Sequence, residues 1–398
     1  MEIKISKIRM CYNFSFIFFW GMIFSMPIGL FYKINFIGIK FSISYIFLVF
    51  FLFFSIICYF FVVQLKFTFF KSKIFKFFFL SFFIYIINSF YNGIDTKYLI
   101  FFVTFVASIV VGFLYKKEII IFFSKSFVNV TYILTGIGII LYYFNIPLFD
   151  FDYAGGEFYF MNSFGYYRLS SILLNPNGFS YFLLLYFMIF FYSRKFFISY
   201  IMFFIIFISF ILTDSRSALL GLLFSFIIFN FHYIKQKIFL FKSSIVCVLL
   251  FFVFLLGISS AGFLTQYDIR FSKFIIAIEY IFSSWRYFLT GVPSNILIEK
   301  DGIVFSDNMF LYLFLKMGFF SFMAFMCGYF YSILRTVKIL FKGDDIEIKP
   351  YALFIVSTLF PMFFSNLLFF SPIYLLIGLS IGALERDYID ESEKSSYS

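Results

Sequence analysis

The sequence predicts an all-α fold, a polytopic transmembrane bundle of about twelve helices. Composition is the first observation behind this prediction: 63% of the 398 residues are hydrophobic, 13% are charged, and the mean hydropathy is +1.01, too apolar for a soluble protein to cover itself with a polar surface. The second is a series of apolar runs that reach or approach the roughly 20 residues of a spanning helix. They fall at about 11–32, 41–64, 77–91, 98–115, 127–146, 178–193, 196–213, 217–234, 243–261, 309–334, 351–370 and 372–385.

The distribution of basic residues is the third observation. With the N-terminus inside, 21 of the 31 Lys and Arg residues fall on the cytoplasmic side and nine on the outer side. Cytoplasmic loops of membrane proteins carry this excess, so we predict that both termini are cytoplasmic. The same bias explains the net charge of +11 without a nucleic-acid partner. The N-terminal segment has no small-residue cleavage site, and we expect a retained cytoplasmic tail.

Residues 1–398 therefore form one integral membrane domain, with two external loops, 147–176 and 262–307, that contribute to the site. In the larger loop, Asp268 to Thr290 predicts an amphipathic helix lying on a surface. Its polar side chains recur with the 3.6-residue period of a helix: Ser272, Glu279, Ser283 and Arg286. Treating this stretch as a thirteenth span would put the basic segment 335–349 outside, which the charge rule disfavours.

Three helices are predicted to begin on the outer face, and each presents unpaired N–H groups and the positive end of its dipole there. Their N-caps are expected at Asn175, at Asp214 or Ser215, and at Asp307. Arg168 and Arg216 add full positive charges beside two of these helix ends. Together these groups predict a site for an anion such as a lipid-linked diphosphate.

The motifs that follow one another on this face resemble the bacterial O-antigen polymerase and O-antigen ligase superfamily. R-x-S-S-x-x-x-N-P-N-G begins at Arg168, T-D-S-R-S-A-L-L-G begins at Thr213, and the D-N pair at Asp307 precedes Gly318. The resemblance implies that lipid diphosphate-linked glycans are joined on the periplasmic side. It also implies that Arg168, Arg216 and Arg270 bind the diphosphate or the glycan. We add Asn177 and Asn308 to the predicted substrate-binding residues.

The ligase branch of this superfamily carries a histidine where this chain has Asp307, and this difference favours a polymerase. We therefore predict an enzyme of the bacterial inner membrane that transfers a growing glycan from undecaprenyl diphosphate to an incoming lipid-linked repeat unit. Asp307 and Arg216 are the predicted catalytic residues, as base and as charge stabiliser. Neither a metal nor another cofactor is expected. Membrane lipid and a polysaccharide chain-length regulator are the further expected partners.

Other interpretations stay open for several of these residues. Asp307 and Asp214 can be N-caps without a catalytic role, and arginines such as Arg270 and Arg286 can anchor a helix at the membrane surface. Asp150 and Asp152 resemble a metal-binding acidic pair, yet solvated acidic pairs are common in loops. Lys316 lies inside an apolar run and needs a partner or water. For the whole chain, the alternatives are an O-antigen ligase and a flippase or other transporter of lipid-linked oligosaccharides.

Overall fold

The computed structural model describes residues 16–27, 33–36, 39–63, 72–93, 95–116, 119–120, 126–146, 167–192, 198–233, 275–293, 296, 308–342, 346–359, 362 and 371–396. The predicted ninth apolar run, 243–261, lies outside these residues. So do Arg270, Asp307 and the acidic pair Asp150 and Asp152, and their predicted binding and catalytic roles stay predictions.

The described residues form a helical bundle with one short strand pair, and the predicted helical class is confirmed. In chain order the elements are α1 (16–24), β1 (Lys33–Phe36), β2 (Ile39–Ser42), α2 (Ile43–Val63), α3 (Lys73–Asn92), α4 (Thr96–Leu114), α5 (Val128–Tyr143), a 3-10 turn (Ser171–Leu173), α6 (Pro176–Tyr192), α7 (Ile198–Leu212), α8 (Arg216–Tyr233), α9 (275–282), α10 (Trp285–Thr290), α11 (Met309–Lys342), α12 (Lys349–Leu359) and α13 (Ser371–Ser396). The strands pair antiparallel in the turn between the first two predicted spans.

Helices α3 and α11 pack antiparallel, and buried serines tie them together. The hydroxyl of Ser81 donates to the carbonyl oxygen of Ser321 at 2.8 Å, and the hydroxyl of Ser321 returns a bond of the same length to the carbonyl of Ser81. Below them, Phe78 packs edge-on against Phe105 of α4 and Phe325 of α11. Small hydroxyl residues let the helix backbones approach closely, and aromatic rings fill the wider spaces.

Helices α4 and α13 run parallel and in close contact through small residues. A side chain added at Gly112 would place its Cβ 2.2 Å from the carbonyl oxygen of Leu379, and one at Gly382 would meet the carbonyl oxygen of Ile109 at 2.0 Å. Gly378 and Gly382 form a G-x-x-x-G pair on α13, which is the spacing that brings apolar helices together in membranes. A larger side chain in place of either glycine would therefore force α4 and α13 apart.

One end of this parallel pair carries a group of buried ion pairs, the Arg335 cluster. Arg335 of α11 binds Glu385, and Lys116 at the end of α4 binds Asp387, so α13 is joined to both neighbours. The guanidinium of Arg335 also lies over the ring of Tyr388. Oppositely charged partners make burial of these groups tolerable.

Helix α6 is the centre of the bundle, since every side chain from Pro176 to Met188 is buried. Its Phe187 packs edge-on against three rings of α7, and Phe191 packs against α8. The many phenylalanines thus fill the interior in the way that leucine and isoleucine fill other cores.

Two described helices, Lys73–Asn92 and Met309–Phe341, are long and apolar enough to cross a membrane, and six shorter apolar helices accompany them. Exposed apolar side chains follow one face of α3: Phe79, Leu80, Phe83, Ile87 and Phe90. A helix with a continuous exposed apolar face suits lipid contact better than contact with water.

The predicted amphipathic helix from Asp268 to Thr290 is wrong as one continuous element. Among its described residues the helix stops at 282 and restarts at Trp285. The reason is Ser284, whose extended backbone (φ −152°, ψ 147°) and hydroxyl, accepting from the Tyr287 N–H at 3.1 Å, make it the N-cap of a new helix. The predicted polar face is confirmed in part, because Glu279, Ser283 and Arg286 are exposed.

The predicted span at 309–334 is interrupted at Gly318, which adopts φ 71° and ψ 172° within α11. A Cβ at this position would lie 2.3 Å from the carbonyl oxygen of Leu289. Glycine is thus required twice over, for its conformation and for the close approach of α10. The Asn88 amide of α3 donates to the freed carbonyl of Met317 at 2.7 Å, and the Val292 N–H donates to Leu315 at 2.7 Å.

Candidate functional site

Arg168 is buried, with 8% of its surface exposed, and its guanidinium is held in a fixed position by neutral groups. Nε donates to the carbonyl oxygen of Thr213 at 2.8 Å. Nη2 donates to the carbonyl oxygen of Asp214 and to Oδ1 of Asn177, each at 2.9 Å. These four residues are called the Arg168 cluster. The structure therefore brings together the first two motifs of the sequence, as predicted.

The Arg168 cluster also fixes the turn that leads into α8. The Leu169 N–H donates to the carbonyl of Leu212 at 3.0 Å, one residue before Thr213. Asp214 is exposed and has a positive φ of 48°, a conformation that costs energy in a residue with a side chain. Two residues later Arg216, half-buried, opens the helix. The position of Arg216 therefore depends on contacts made by Arg168.

The three helices that were predicted to begin on the outer face differ in how their N-termini are capped. Oδ1 of Asn175 accepts from the N–H groups of Asn177 and Gly178, at 2.9 and 3.1 Å, and this confirms the predicted N-cap of α6. At α11 the N-cap is Asn308, whose Oδ1 accepts from the Leu311 N–H at 3.0 Å. The prediction of Asp307 as this cap is wrong, because the helix begins at Met309 and the cap is the residue directly before it.

The start of α8 has no such closure in the described part of the chain. Ser215 occupies the residue before the helix, yet its hydroxyl is buried and forms no hydrogen bond there. Asp214, the other predicted cap, is exposed one residue further out. Neither predicted cap therefore closes the start of α8, and a helix N-terminus favours an anion through its dipole.

Strained backbone accumulates around the Arg168 cluster. Four residues other than glycine have positive φ in the described segments: Asn145, Ser171, Leu174 and Asp214. Hydrogen bonds fix two of these residues near Arg168. Asn145 Oδ1 accepts from the N–H of Tyr167, the residue before Arg168, at 3.1 Å. The Ser171 hydroxyl donates to the carbonyl oxygen of Leu134 in α5 at 2.7 Å. Residues held in such conformations concentrate at functional sites because packing elsewhere supports the strain.

A second polar group, which the sequence did not predict, surrounds Lys316. Its Nζ lies 2.8 Å from Oδ2 of Asp95, the residue that caps α4 through Oδ1. Asn92 donates to the carbonyl oxygens of Thr290 at 2.8 Å and Gly291 at 2.9 Å. We call this the Lys316 pocket, lined by Tyr85, Asn88, Ser89, Asn92, Gly93, Asp95, Thr290, Val292 and Lys316.

The structure identifies Asp95 as the partner of Lys316, the lysine inside an apolar run. Sequence reasoning missed Asp95, Asn88 and Asn92. Two asparagines spaced by four on an otherwise apolar helix were the available signal, because they lie on one face and must bind something buried. Here Asn88 binds the Met317 carbonyl at the break in α11, and Asn92 binds the Thr290 and Gly291 carbonyls at the end of α10.

A metal site finds no support among the described residues, which contain no group of three His, Cys, Asp or Glu side chains that could hold an ion. What the Arg168 cluster and the start of α8 can do chemically is bind and stabilise negative charge.

No protein-family model matches the chain, and neither curated proteins nor solved structures give a match. The resemblance to the O-antigen polymerase and ligase superfamily thus stays a prediction from the motifs.

Proposed function

We propose that this protein polymerises lipid-linked glycan repeat units at the periplasmic face of a bacterial inner membrane. The observation that carries the proposal is the N-terminus of α8, which begins at the half-buried Arg216 and is not capped by the side chain of Asp214 or Ser215. Anionic diphosphate fits such a site because the helix dipole, the amide donors and the guanidinium all favour negative charge.

In the proposed reaction, an acceptor hydroxyl of the incoming repeat unit attacks the anomeric carbon of the growing glycan. The bond between that carbon and the diphosphate oxygen breaks, and undecaprenyl diphosphate leaves with the electron pair. The acceptor's proton passes to a base, for which Asp307 is the candidate. Arg216 and the α8 N-terminus stabilise the charge that develops on the departing diphosphate.

Arg216 and Arg168 have different roles in this proposal. Arg216 contacts the diphosphate, whereas Arg168 is a positioning residue that holds the 213–214 turn and, through Asn177, the start of α6. Three charge-assisted hydrogen bonds to neutral oxygens fix the guanidinium against the turn before α8 and the start of α6. Arg270 and Asn308 are further substrate-binding candidates, although the side-chain oxygen of Asn308 is engaged in capping α11.

The membrane arrangement follows from the apolar runs and the charge bias. Twelve spans with both termini in the cytoplasm make the third and tenth spans antiparallel and the fourth and twelfth parallel. The directions of α3 against α11 and of α4 against α13 support this arrangement. The Arg168 cluster and the Lys316 pocket then face the periplasm, and the Arg335 cluster faces the cytoplasm.

The test is polymer formation from purified undecaprenyl diphosphate-linked repeat units at matched amounts of protein. Arg216→Lys keeps the charge but loses the planar fork that grips two phosphate oxygens, and we expect a rate loss on the order of 100-fold. Arg386→Lys is the matched control, since Arg386 forms an i,i+4 pair with Asp390 at the far end and lysine can replace it there. Wild-type rates from both Arg216→Lys and Arg216→Ala would place the diphosphate elsewhere.

A flippase or transporter is the second candidate, and the broken helix at Gly318 favours it. Transporters build binding sites where helices are interrupted, and here a partly buried ion pair, Lys316 with Asp95, lies next to the break. The surface glycan of a deletion strain separates the candidates. A single uncapped repeat unit indicates a polymerase, long polymer on free carrier lipid indicates a ligase, and intermediates trapped inside the cell indicate a flippase.

A further inference from the structure

Helices α9 and α10 bury only a narrow face against the rest of the protein. Ala277 and Ile281 are enclosed together with Val292 and Leu315 in a small cluster separate from the main core. The opposite side carries large aromatic side chains, with Phe282 69% and Trp285 80% exposed. An apolar surface of this kind needs a partner, because isolated water contact is unfavourable for such large rings.

Hydrogen bonds fasten α10 to the end of α3. Arg286 Nη2 donates to the carbonyl oxygen of Tyr91 at 2.7 Å, and Asn92 binds the two carbonyls at the end of α10. Two more exposed aromatic side chains stand at this junction, Phe90 at 79% and Tyr91 at 67%. Phe90, Tyr91, Phe282 and Trp285 are called the aromatic patch.

The aromatic patch continues the exposed apolar stripe of α3. That stripe ends at Phe90, and α3 is one of the two helices long and apolar enough to cross a membrane. Rings of α10 also connect the patch to α11, since Phe288 contacts Trp285 on one side and stacks on Phe319 at 5.0 Å on the other. The same lipid that covers α3 would therefore meet α9 and α10 at its edge.

The polar residues of the two helices indicate how deep they would lie. Glu279, Ser283 and Arg286 are exposed beside the aromatic side chains, so these helices present both kinds of surface. Full burial in hydrocarbon would exclude Glu279, and full exposure to water would leave the rings uncovered. Trp and Tyr concentrate at the boundary between headgroups and acyl chains, where both kinds of side chain are accommodated.

We propose that the aromatic patch docks into the headgroup region of the membrane, so that α9 and α10 form an in-plane element at the bilayer surface. Its occupant is phospholipid of the leaflet at the Lys316 end of the bundle. This docking sets the depth of the Lys316 pocket, because Asn92 and Gly291 join the two. The proposal requires membrane embedding and holds whichever reaction the protein catalyses.

The chain's two tryptophans make a direct test possible. The Trp20→Phe protein, with Trp285 as its sole tryptophan, is placed in phosphatidylcholine and phosphatidylglycerol nanodiscs containing lipids brominated near the glycerol end or near the methyl end of the acyl chain. We expect most Trp285 fluorescence to be lost with bromine near the glycerol end, less with bromine near the methyl end, and little with aqueous iodide. Subtracting the signal of the Trp285→Phe protein from that of the wild type gives the same quantity without altering Trp20.

Two outcomes would overturn the proposal. Strong quenching by iodide without quenching by either lipid would place Trp285 in water. Protection from iodide and from both lipids would mean that protein, such as a second copy of this chain, covers the patch. Because no glycan substrate is used, neither outcome bears on polymerase activity, and loss of polymerase activity would leave this result unchanged.

Discussion

In the Arg335 cluster, Arg335 and Lys116 bind carboxylates of a neighbouring helix, whereas in the Arg168 cluster a guanidinium binds backbone carbonyls of the turn before α8. The Lys316 pocket stands between these two patterns, with an ion pair of its own and asparagines that bind carbonyls. Ion pairs make buried charge tolerable between helices, whereas hydrogen bonds from a guanidinium to carbonyls hold the backbone of a turn in place.

Backbone conformation divides the molecule in the same way. All seven positive-φ residues in the described segments lie around the Arg168 cluster or the Lys316 pocket: Gly93, Asn145, Ser171, Leu174, Asp214, Gly291 and Gly318. The Arg335 cluster joins helices with regular backbone. The scaffold and the candidate site are thus separated in space. We expect substitutions at the Arg335 cluster to unfold the protein, and substitutions around the Arg168 cluster or the Lys316 pocket to reduce activity or to strain the backbone locally.

The largest expected effect belongs to the scaffold. Arg335→Met leaves Glu385, which is 2% exposed, buried without its cation, and we expect a loss of about 3–5 kcal/mol in the free energy of unfolding. The double variant Arg335→Met with Glu385→Leu removes both charges and should recover most of that loss. Unfolding of the detergent-solubilised protein in a denaturant titration measures both. Equal stability of the single and double variants would show that the pair is not what holds α11 to α13.

A substitution at the helix break has the next largest effect. Gly318→Ala puts a side chain at φ 71° and against the Leu289 carbonyl, so strain and overpacking together should lower the free energy of unfolding by about 2–4 kcal/mol. Gly136→Ala is the matched control, because Gly136 lies within α5 and nothing approaches its Cβ position within 4 Å. We expect the control to match or slightly exceed wild-type stability. A tolerated alanine at 318 would mean that α11 can be continuous.

The smallest expected effect concerns Asn308 and separates a cap from a substrate ligand. Asn308→Ala removes the acceptor for the Leu311 N–H and should lower stability by about 1 kcal/mol, while Asn308→Ser should remain near wild type because serine also caps. Thermal unfolding gives stability, and polymer formation at matched folded protein gives activity. Full activity in both variants would remove Asn308 from the substrate-binding set, whereas an inactive but stable Ser variant would keep it there.

Sequence periodicity predicted the helices well because apolar runs of this length have few alternatives. It failed at Ser284 and at Gly318, where one residue's backbone conformation ends a helix within an apolar stretch. Such breaks depend on tertiary contacts, here the close packing of α10 against α11. A single sequence does not show which helices pack together. The G-x-x-x-G spacing at Gly378 was visible and would have predicted that α13 packs closely against another helix, although not which one.

Motif order predicted the meeting of Arg168 with the turn before Arg216, but it could not predict the direction in which Arg168 points. A guanidinium near a helix start can bind a ligand or the protein's own carbonyls, and the loop conformation decides between them. The N-cap of α11 was misplaced by one residue for a similar reason. Asp307 and Asn308 have comparable capping preferences, so only the helix start at Met309 distinguishes them.

The close pairing of α4 with α13 has a consequence for biosynthesis. Thr104 and Tyr374, which touch across this pair, are 270 residues apart in the chain. Under the proposed membrane arrangement, the face of α4 that carries Ser108 and Gly112 therefore lacks α13 until nearly all intervening helices have been inserted. We expect nascent chains that stop before α13 to expose Ser108 and Gly112 to lipid and to be recognised by membrane proteases, so that folding quality is judged only after α13 has entered the membrane.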